Sequence, residues 1–329
     1  MEYVRWGILS VSNNYHLRIH NQLRDSASVK VLGIASRDAA KAAKEAQLLG
    51  IPKSYGSYEA LLADPEIDAV YLPLPNDLHA EWVKKVADAG KHVLCEKPFA
   101  LNAAQARQTI DYAAAKNVRV MEAFMYRFHP QWAHARDIIS AGELGPIAAI
   151  NVRFSYSNKD PSNIRNILEK GGGALMDIGC YAISASRYLL SAEPLRVMSL
   201  VNRDPVFQTD ILCSGLLDFG RTHASFTVST QAASAQSVEV LGANGSLTIA
   251  LPFNAYDDIP MEVTVTTGTG TRRVSLGPAR QYRLMFEAFS SSIMESKPVP
   301  TPPSDAVNNM KVIDALFRSE KSGNWEPLD

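Results

Sequence analysis

The stretch VKVLGIASRDAAKAAKEAQLLG, residues 29–50, decides the fold class. It opens with the apolar run Val29–Ala35, whose length and β-branched residues predict a buried strand. Asp38 is a typical residue at a helix start, and the alanine-rich segment Ala39–Leu49 ends at Gly50, a typical residue at a helix end. The stretch therefore predicts one strand followed directly by one helix.

The same alternation continues on both sides of this stretch. The apolar run Val4–Val11 precedes it, and three further runs follow it, separated by helical patterns: Asp68–Leu72, His92–Cys95 and Val118–Ala123. Strands that alternate with amphipathic helices predict βαβ units and hence a doubly wound parallel sheet. Such sheets bind ligands at the carboxyl ends of their strands.

The pattern changes after residue 122. A long strand pattern, Ile147–Ser157, is followed from Leu195 to Leu276 by short β-like runs with tight turns. Consecutive strands without intervening helices predict a largely antiparallel sheet. We therefore expect an α/β chain in which residues 1–122 form a doubly wound domain. Residues 123–329 are expected to form an α+β domain with a large, mostly antiparallel open sheet.

The composition excludes several classes of function. The 329 residues include 33 Lys and Arg and 34 Asp and Glu, so the net charge of −1 creates no field that favours nucleic acid or an anionic membrane. Three widely spaced cysteines, Cys95, Cys180 and Cys213, favour buried thiols in a reducing cytoplasm over disulfides or a zinc site. We expect a cytoplasmic protein that binds no metal, nucleic acid or membrane.

The turn after the first strand would carry the glycine fingerprint of a dinucleotide-binding domain. Ser10 and Ser12 occupy the positions of its first two glycines, and Tyr15 replaces the small residue that lets helix and strand approach. Serine and asparagine suit a tight turn or a helix start and hydrogen-bond phosphate. The candidate ligands in this turn are Ser10, Ser12, Asn13 and Asn14. The alternative is an ordinary loop in a domain that binds another ligand.

The end of the second strand, Ser36-Arg37-Asp38, indicates which dinucleotide is bound. An acidic residue there holds the ribose hydroxyls of NAD, whereas an arginine accommodates the 2′-phosphate of NADP. Arg37 and Ser36 are placed to bind a phosphate. We expect Asp38 to turn away because it caps the next helix. NADP is therefore the expected cofactor, and NAD is less favoured.

Four longer motifs carry a resemblance to a known family. They are YLPLPNDLH at residues 71–79, EKP at 96–98, MEAFMYRFHP at 121–130 and GGGALMDIGCY at 171–181. With them the chain resembles the Gfo/Idh/MocA oxidoreductases over nearly its whole length. It is most similar to the branch with glucose–fructose oxidoreductase, dimeric dihydrodiol dehydrogenase and NADP-linked D-xylose dehydrogenase. The resemblance implies an N-terminal Rossmann-type domain that binds NADP and a C-terminal domain for substrate binding and dimerisation.

The resemblance also implies that Lys97 and Tyr181 face the substrate carbon, with Asp177 as the supporting carboxylate. Asp177 and Tyr181 are four residues apart in a helical stretch and therefore share one face. A cation beside a phenol lowers its pKa from about 10, so Tyr181 would exchange the proton while Lys97 tunes it. Asp177 would orient either the sugar hydroxyls or Lys97. The alternative acid/base is Lys97 itself, because a partly buried lysine shifts its pKa readily.

The remaining candidates lie near these motifs. His79 is expected to contact the cofactor or to cap its helix, and Arg127 to meet a cofactor phosphate or carboxamide or to form a salt bridge. Tyr282 is expected to be a substrate contact or a core residue. The residues expected to bind the cofactor are Ser10, Ser12, Asn13, Asn14, Ser36, Arg37, Leu74, Asn76, His79, Glu96, Lys97 and Arg127. Those expected to bind substrate are Lys97, Asp177, Tyr181 and Tyr282.

Together these features predict an NADP(H)-dependent oxidoreductase of a sugar, polyol or vicinal diol. One alternative is a transhydrogenase that never releases its cofactor. Another is a ligand-sensing or regulatory protein that has lost the cofactor, which the missing glycines would favour. We also expect a homodimer packed sheet to sheet, because an uncovered apolar sheet face implies an interface. The residues expected on that face are Leu216, Phe219, Phe226, Val228, Val238 and Val240.

Replacing Arg37 with alanine tests the predicted cofactor preference. One charge-assisted contact to phosphate is worth roughly 1.5–3 kcal/mol, so Arg37→Ala should weaken NADP(H) binding roughly ten- to a hundredfold. NAD(H) binding should stay nearly unchanged. Fluorescence titrations of both proteins with NADPH and NADH measure this. Equal losses for the two cofactors, or a wild-type preference for NAD(H), would contradict the prediction.

Overall fold

The computed structural model describes residues 2–328, which divide into two compact units. Unit 1 contains the residues up to Met125 together with Tyr282–Val307. Unit 2 contains Tyr126–Gln281 and the residues from Asn308 onward. Each unit has its own sheet, and the candidate residues are distributed over both.

In the described chain, unit 1 holds a six-stranded parallel sheet. Its strands are β1 (Val4–Leu9), β2 (Val29–Ala35), β3 (Lys53–Tyr55), β4 (Ala69–Leu72), β5 (His92–Cys95) and β6 (Val120–Glu122). They pair in the order β3-β2-β1-β4-β5-β6. The order reverses between β1 and β4, which is the switch point where such sheets bind ligands. The predicted doubly wound parallel sheet is confirmed.

Alpha-helices connect and flank the strands in both units of the described chain. They are α1 (His20–Leu23), α2 (Ala39–Leu49), α3 (Tyr58–Leu62), α4 (Asn76–Asp88), α5 (Ala103–Ala115), α6 (Pro130–Ser140), α7 (Cys180–Leu190), α8 (Gln281–Met294) and α9 (Pro303–Ser322). Two π-turns, Tyr15–Ile19 and Leu175–Gly179, lead directly into α1 and α7. Between residues 2 and 328, no helix is long and apolar enough to cross a membrane.

Helix α2 begins and ends where the sequence predicts. The Asp38 carboxylate accepts a hydrogen bond from Lys41 N at 3.1 Å, and Gly50 ends the helix with a left-handed φ of 67°. Helix α5 begins in the same way, because Asn102 accepts a hydrogen bond from Gln105 N at 2.8 Å. Such a cap stabilises a helix by about 1 kcal/mol.

Helix α8 belongs to unit 1 from Tyr282 onward, although it follows the second sheet in the sequence. Its Phe286 and Phe289 pack against Trp6 of β1, with ring centroids 4.6 and 5.7 Å apart. The sequence analysis assigned residues 123–329 to a single domain, whereas the structure joins Tyr282–Val307 to unit 1. Periodicity shows which face of a helix is apolar, but it does not show which sheet covers that face.

Unit 2 holds, among the described residues, a nine-stranded sheet. Its strands are β7 (Ile147–Ser157), β8 (Arg196–Arg203), β9 (Asp210–Asp218), β10 (His223–Ser229), β11 (Gln231–Gly242), β12 (Gly245–Ile249), β13 (Met261–Thr267), β14 (Gly270–Leu276) and β15 (Glu326–Pro327). Their order is β14-β13-β12-β11-β7-β10-β9-β8-β15, with β7 and β10 parallel and the other neighbours antiparallel. The predicted large, mostly antiparallel sheet is confirmed.

The two faces of this sheet differ in polarity. One face packs against α6 and α7 and buries four of the residues expected to be uncovered: Phe226, Val228, Val238 and Val240. The expectation of an uncovered apolar face is therefore wrong for these four, because helices of the same unit cover them. Of the six residues named, Leu216 alone is exposed. The opposite face is mostly serine, threonine and charged side chains, with exposed leucines at Leu200, Leu216 and Leu241.

The three cysteines, Cys95, Cys180 and Cys213, are buried. Burial raises the pKa of the Cys95 and Cys213 thiols above their usual value. The prediction of buried thiols is confirmed.

Candidate functional site

The turn after β1 keeps the shape of the glycine fingerprint without its glycines. Ser10 has a φ of 146°, a left-handed value that favours glycine, and a non-glycine residue held there costs about 1–3 kcal/mol. Ser12 Oγ accepts a hydrogen bond from Tyr15 N at 3.2 Å at the start of the following helix. Ser10 therefore provides the turn, and Ser12 provides the helix start. Asn14 lies beside them, and its side chain hydrogen-bonds the hydroxyl of Tyr71.

Tyr15 is buried where the fingerprint has a small residue. Its ring packs against Tyr71 with centroids 6.2 Å apart, and its hydroxyl hydrogen-bonds His20 Nδ1 at 3.2 Å. The helix is widened into a π-turn over Tyr15–Ile19. Since a π-turn bulges the helix locally, we infer that it accommodates the larger ring while the helix still begins after β1.

At the end of β2, Asp38 turns towards the next helix, as the sequence predicts, and Arg37 is left exposed. Asp38 caps α2, so its carboxylate is engaged by the helix. Ser36 is buried, and its Oγ accepts a hydrogen bond from Asp38 N at 3.2 Å. Arg37 is exposed. Arg37 is therefore accessible to a phosphate. The carboxylate of Asp38, which would repel that phosphate, is directed to the start of α2 instead.

His79 connects the loops that follow β4 and β5. It is fully buried, with Nδ1 2.8 Å from the carbonyl oxygen of Pro98 and Nε2 2.8 Å from that of Leu74. Both partners accept hydrogen bonds, whereas a neutral imidazole has one donor, so the contacts favour the protonated ring. Burial acts in the opposite direction and lowers the pKa of His79. The ring therefore holds the two loops together, a role that neither alternative of the sequence analysis included. Asn76 begins α4 directly after the first of these loops.

Lys97 lies just past the carboxyl end of β5 and is half-buried. The preceding Glu96 accepts a hydrogen bond from the Tyr71 hydroxyl at 2.6 Å. Burial, followed by the charge of Glu96, raises the pKa of Tyr71. On the other side, Glu122 of β6 accepts a hydrogen bond from Phe99 N at 2.8 Å. Glu122 thus fixes the backbone two residues after Lys97, and Tyr71 fixes the side chain of the residue before it.

In unit 2, Tyr181 lies at the start of α7 and is 6% exposed. Its ring packs among those of Tyr126, Phe154 and Phe253, with centroid distances of 5.8, 5.7 and 5.2 Å. Aromatic neighbours on several sides fix the plane of the phenol. The hydroxyl is the one polar group that this ring can offer to a ligand.

Asp177 accepts hydrogen bonds from two residues that the sequence analysis did not identify. The Tyr156 hydroxyl donates to Asp177 Oδ2 at 2.6 Å, and Arg165 Nε donates to the same oxygen at 2.9 Å. The charge of Asp177 is the main cause of the raised pKa of Arg165, to which Tyr156 and Tyr181 also contribute. Arg165 therefore adds a positive charge beside both Asp177 and Tyr181.

The glycine turn before Asp177 depends on two close backbone approaches. A Cβ at Gly172 would lie 2.5 Å from the carbonyl oxygen of Arg165, which also accepts a hydrogen bond from Gly173 N at 2.9 Å. Gly173 has a φ of 120°, and a Cβ there would overlap Oδ1 of Asp210. The turn thereby fixes the backbone of Arg165 close to the helix that carries Asp177.

Arg127 and Tyr282 are held by contacts within their own units. Arg127 Nη2 donates to Ser184 Oγ at 2.7 Å, and its guanidinium lies 5.1 Å from the ring centroid of Tyr188. Tyr282 is buried in unit 1, where its backbone N donates to Gln22 Oε1 at 3.1 Å. These contacts anchor Arg127 to α7 and make Tyr282 part of the packing of unit 1.

Family models match both halves of the chain. The model described as "Oxidoreductase family, NAD-binding Rossmann fold" matches residues 5–124, and the "GFO/IDH/MocA C-terminal domain" matches residues 132–248. The chain belongs to the Gfo/Idh/MocA oxidoreductase family. The resemblance seen in the motifs is confirmed, and so is the prediction of an oxidoreductase.

Similar proteins include two dehydrogenases and a reductase. D-xylose 1-dehydrogenase (NADP(+)) 2 of Haloferax volcanii is 39% identical over 90% of this chain and 91% of its own. Trans-1,2-dihydrobenzene-1,2-diol dehydrogenase of Xenopus laevis is 34% identical over 74% of each chain. The crystal structure of KijD10, a 3-ketoreductase from Actinomadura kijaniata in complex with NADP and TDP-benzene, is 27% identical, covers 96% of this chain and 98% of its own, and has a TM-score of 0.91.

The contact between Arg165 and Asp177 generates a prediction for catalysis. We expect Arg165→Gln to lower kcat/KM for the substrate roughly ten- to a hundredfold, because a hydrogen bond to a charged group is worth roughly 1.5–3 kcal/mol. Cofactor affinity should stay within about twofold, because Arg165 lies outside the segment matched by the NAD-binding model. Steady-state kinetics and cofactor titration measure the two quantities. Arg136→Gln, at an arginine stacked on Tyr188, is the matched control, and equal losses in both variants would contradict the prediction.

Proposed function

We propose that this family member is an NADP(H)-dependent dehydrogenase or reductase of a sugar, polyol or vicinal diol. The observation that carries the proposal is Tyr181, fixed by aromatic rings and preceded, one helical turn earlier, by Asp177 with its two donors. A phenol and a carboxylate held together suit a substrate with several hydroxyl groups. The relatives named for D-xylose and for a cyclic vicinal diol support this substrate class.

NADP(H) is the proposed cofactor, and the residues after β1 and β2 fit it. A helix start binds phosphate through its N–H groups, and here it is formed by the turn at Ser10 and Ser12. Arg37 is exposed, as an arginine that binds a 2′-phosphate must be. The bound nicotinamide supplies the hydride chemistry, while the protein supplies orientation and protons. The NADP named with the xylose dehydrogenase and the ketoreductase supports this choice.

Lys97 and Tyr181 are the residues to which we assign the proton. Oxidising an alcohol to a carbonyl releases one hydroxyl proton together with a hydride, and reduction takes both up. A phenol and an ammonium can each exchange that proton. Asp177 Oδ2 already accepts hydrogen bonds from Tyr156 and Arg165, so we assign Asp177 to orienting substrate hydroxyls.

We also propose that the protein acts in the cytoplasm as a homodimer. Buried thiols at all three cysteines suit a reducing compartment. The exposed leucines Leu200, Leu216 and Leu241 are 74, 46 and 51% exposed on one face of the sheet, on β8, β9 and β11. Large apolar side chains exposed on a regular sheet face mark an interface.

Catalysis should be separable from cofactor binding in two variants. Lys97→Met and Tyr181→Phe remove one exchangeable group each and keep most of the side-chain volume. We expect turnover of D-xylose with NADP⁺ to fall at least roughly 10²-fold in each, while NADPH still binds. Lys44→Met and Tyr256→Phe, at exposed positions, are the matched controls. Near-native turnover in both site variants would show that the assignment is wrong.

The proposed dimer predicts a mass in solution. Light scattering at micromolar concentration should give twice the monomer mass of 36.0 kDa. Leu200→Asp combined with Leu216→Asp should shift the protein towards monomer, because burying unpaired charges at an interface is costly. A wild-type mass near 36.0 kDa would rule the dimer out.

A further inference from the structure

The helical segment that carries Asp177 and Tyr181 begins without a cap from its own sequence. Ala174, which precedes the π-turn Leu175–Gly179, is in helical conformation and makes no side-chain cap. The first N–H groups of a helix lack partners within the helix and need acceptors from elsewhere. Leu175 N donates to Asp210 Oδ2 at 2.6 Å, across 35 residues of sequence.

The same carboxylate also packs against the glycine turn. Asp210 is 1% exposed at the start of β9, and its Oδ1 lies so close to Gly173 that a Cβ there would overlap it. Gly173 O in turn accepts a hydrogen bond from Asp177 N at 3.0 Å. The buried Asp210 side chain therefore contacts both the glycine turn to which Asp177 N is hydrogen-bonded and the first N–H of the helical segment.

We propose that Asp210 is a positioning residue for Asp177 and Tyr181, an inference that rests on the proposed function. Its carboxylate fixes the start of the helical segment so that Asp177 meets the donors Tyr156 and Arg165. Asp210 touches neither substrate nor cofactor in this assignment, because it acts through the backbone of Gly173 and Leu175. Nothing in the family motifs points to it, since it lies on a strand beyond them.

Burial of Asp210 brings its ionisation close to neutral pH. Burial raises the pKa of Asp210 to about 7, against the opposing effects of Leu175 N–H and Arg203. Arg203 of β8 is itself paired with Glu320 of α9 at 2.6 Å. The thiol of Cys213, which also lies near Asp210, has a pKa raised by burial. As the pH falls below about 7, Asp210 takes up a proton and loses the charge to which Leu175 N–H donates. Turnover should therefore decline on the acid side if the charge holds the helix start.

The experiment compares three substitutions on one strand. Asp210→Ala removes both oxygens, Asp210→Asn keeps one oxygen as an acceptor for Leu175 N–H, and Asp218→Asn changes a carboxylate at the far end of β9. For each, we would measure hydrogen exchange over residues 173–181, kcat and KM with D-xylose and NADP⁺, NADPH affinity, and the pH dependence of kcat.

Asp210→Ala should speed exchange over residues 173–181 at least about tenfold, since the first helical N–H loses its acceptor. It should lower kcat at least about tenfold per folded molecule, with NADPH affinity within about twofold. Asp210→Asn should recover part of kcat and lose the pH dependence near 7, while Asp218→Asn should match the wild type.

Four results would overturn the proposal. The first is unchanged hydrogen exchange in Asp210→Ala, and the second is an Asp210→Ala protein with the same kcat as an active wild type. The third is an equal loss of kcat in Asp218→Asn. The fourth is an Asp210→Asn protein that does not fold, which would show a purely structural role. If the wild type turns over no D-xylose, faster exchange in Asp210→Ala still supports the positioning role. The absence of D-xylose turnover would then contradict the proposed function and not the positioning role.

Discussion

Parallel pairing around β1 is the constraint on which unit 1 depends. Because β1, β4 and β5 run side by side in the same direction, the segments that follow them emerge at one edge of the sheet. The turn at Ser10, the loop at Leu74 and the segment at Lys97 are those segments. Their backbone is then held by buried polar side chains, among them His79 and Glu122, and not by further regular structure.

Unit 2 holds one phenol, Tyr181, and one carboxylate, Asp177, at the start of a helix. The aromatic rings around Tyr181 fix its orientation, and Tyr156 and Arg165 fix Asp177. The glycine turn makes this arrangement possible because no Cβ fits against the backbone of Arg165 or against Asp210. Rigid placement of reacting groups is how a protein contributes when a cofactor supplies the chemistry.

The sequence predicted best what depends on neighbouring residues. The limits of α2 follow from Asp38 and Gly50, because the Asp38 side chain and the Gly50 backbone both form hydrogen bonds within a few residues. Five strands of the parallel sheet were predicted for the same reason, since runs such as Val29–Ala35 are short, apolar and bounded by turn residues. The edge strand β3 (Lys53–Tyr55) was not predicted, because its three residues form no apolar run. Lys97, Asp177 and Tyr181 were found as candidates through motifs, which carry no information on their partners.

What the sequence could not predict depends on contacts between distant segments. Arg165 looks like any polar loop residue until the turn at Gly172 brings its backbone against the helix that carries Asp177. The apolar alternation of β10 and β11 shows that one face is apolar but not that helices of the same unit cover it, so Phe226 and Val238 were wrongly expected to be uncovered. Helix α8 was assigned to the second domain because its partner, Trp6, lies near the other end of the sequence.

The most direct test of the central claim follows the hydride itself. The protein is incubated with NADP⁺ and with D-xylose and other aldoses, polyols and vicinal diols that carry deuterium on the carbon to be oxidised, and the NADPH formed is examined by mass spectrometry and NMR. Hydride transfer predicts deuterium at the nicotinamide C4 with at least one of these substrates, and none with Tyr181→Phe on the same timescale. Tight binding of NADP⁺ without deuterium transfer from any of them would contradict the account and favour a protein that senses its ligand without converting it.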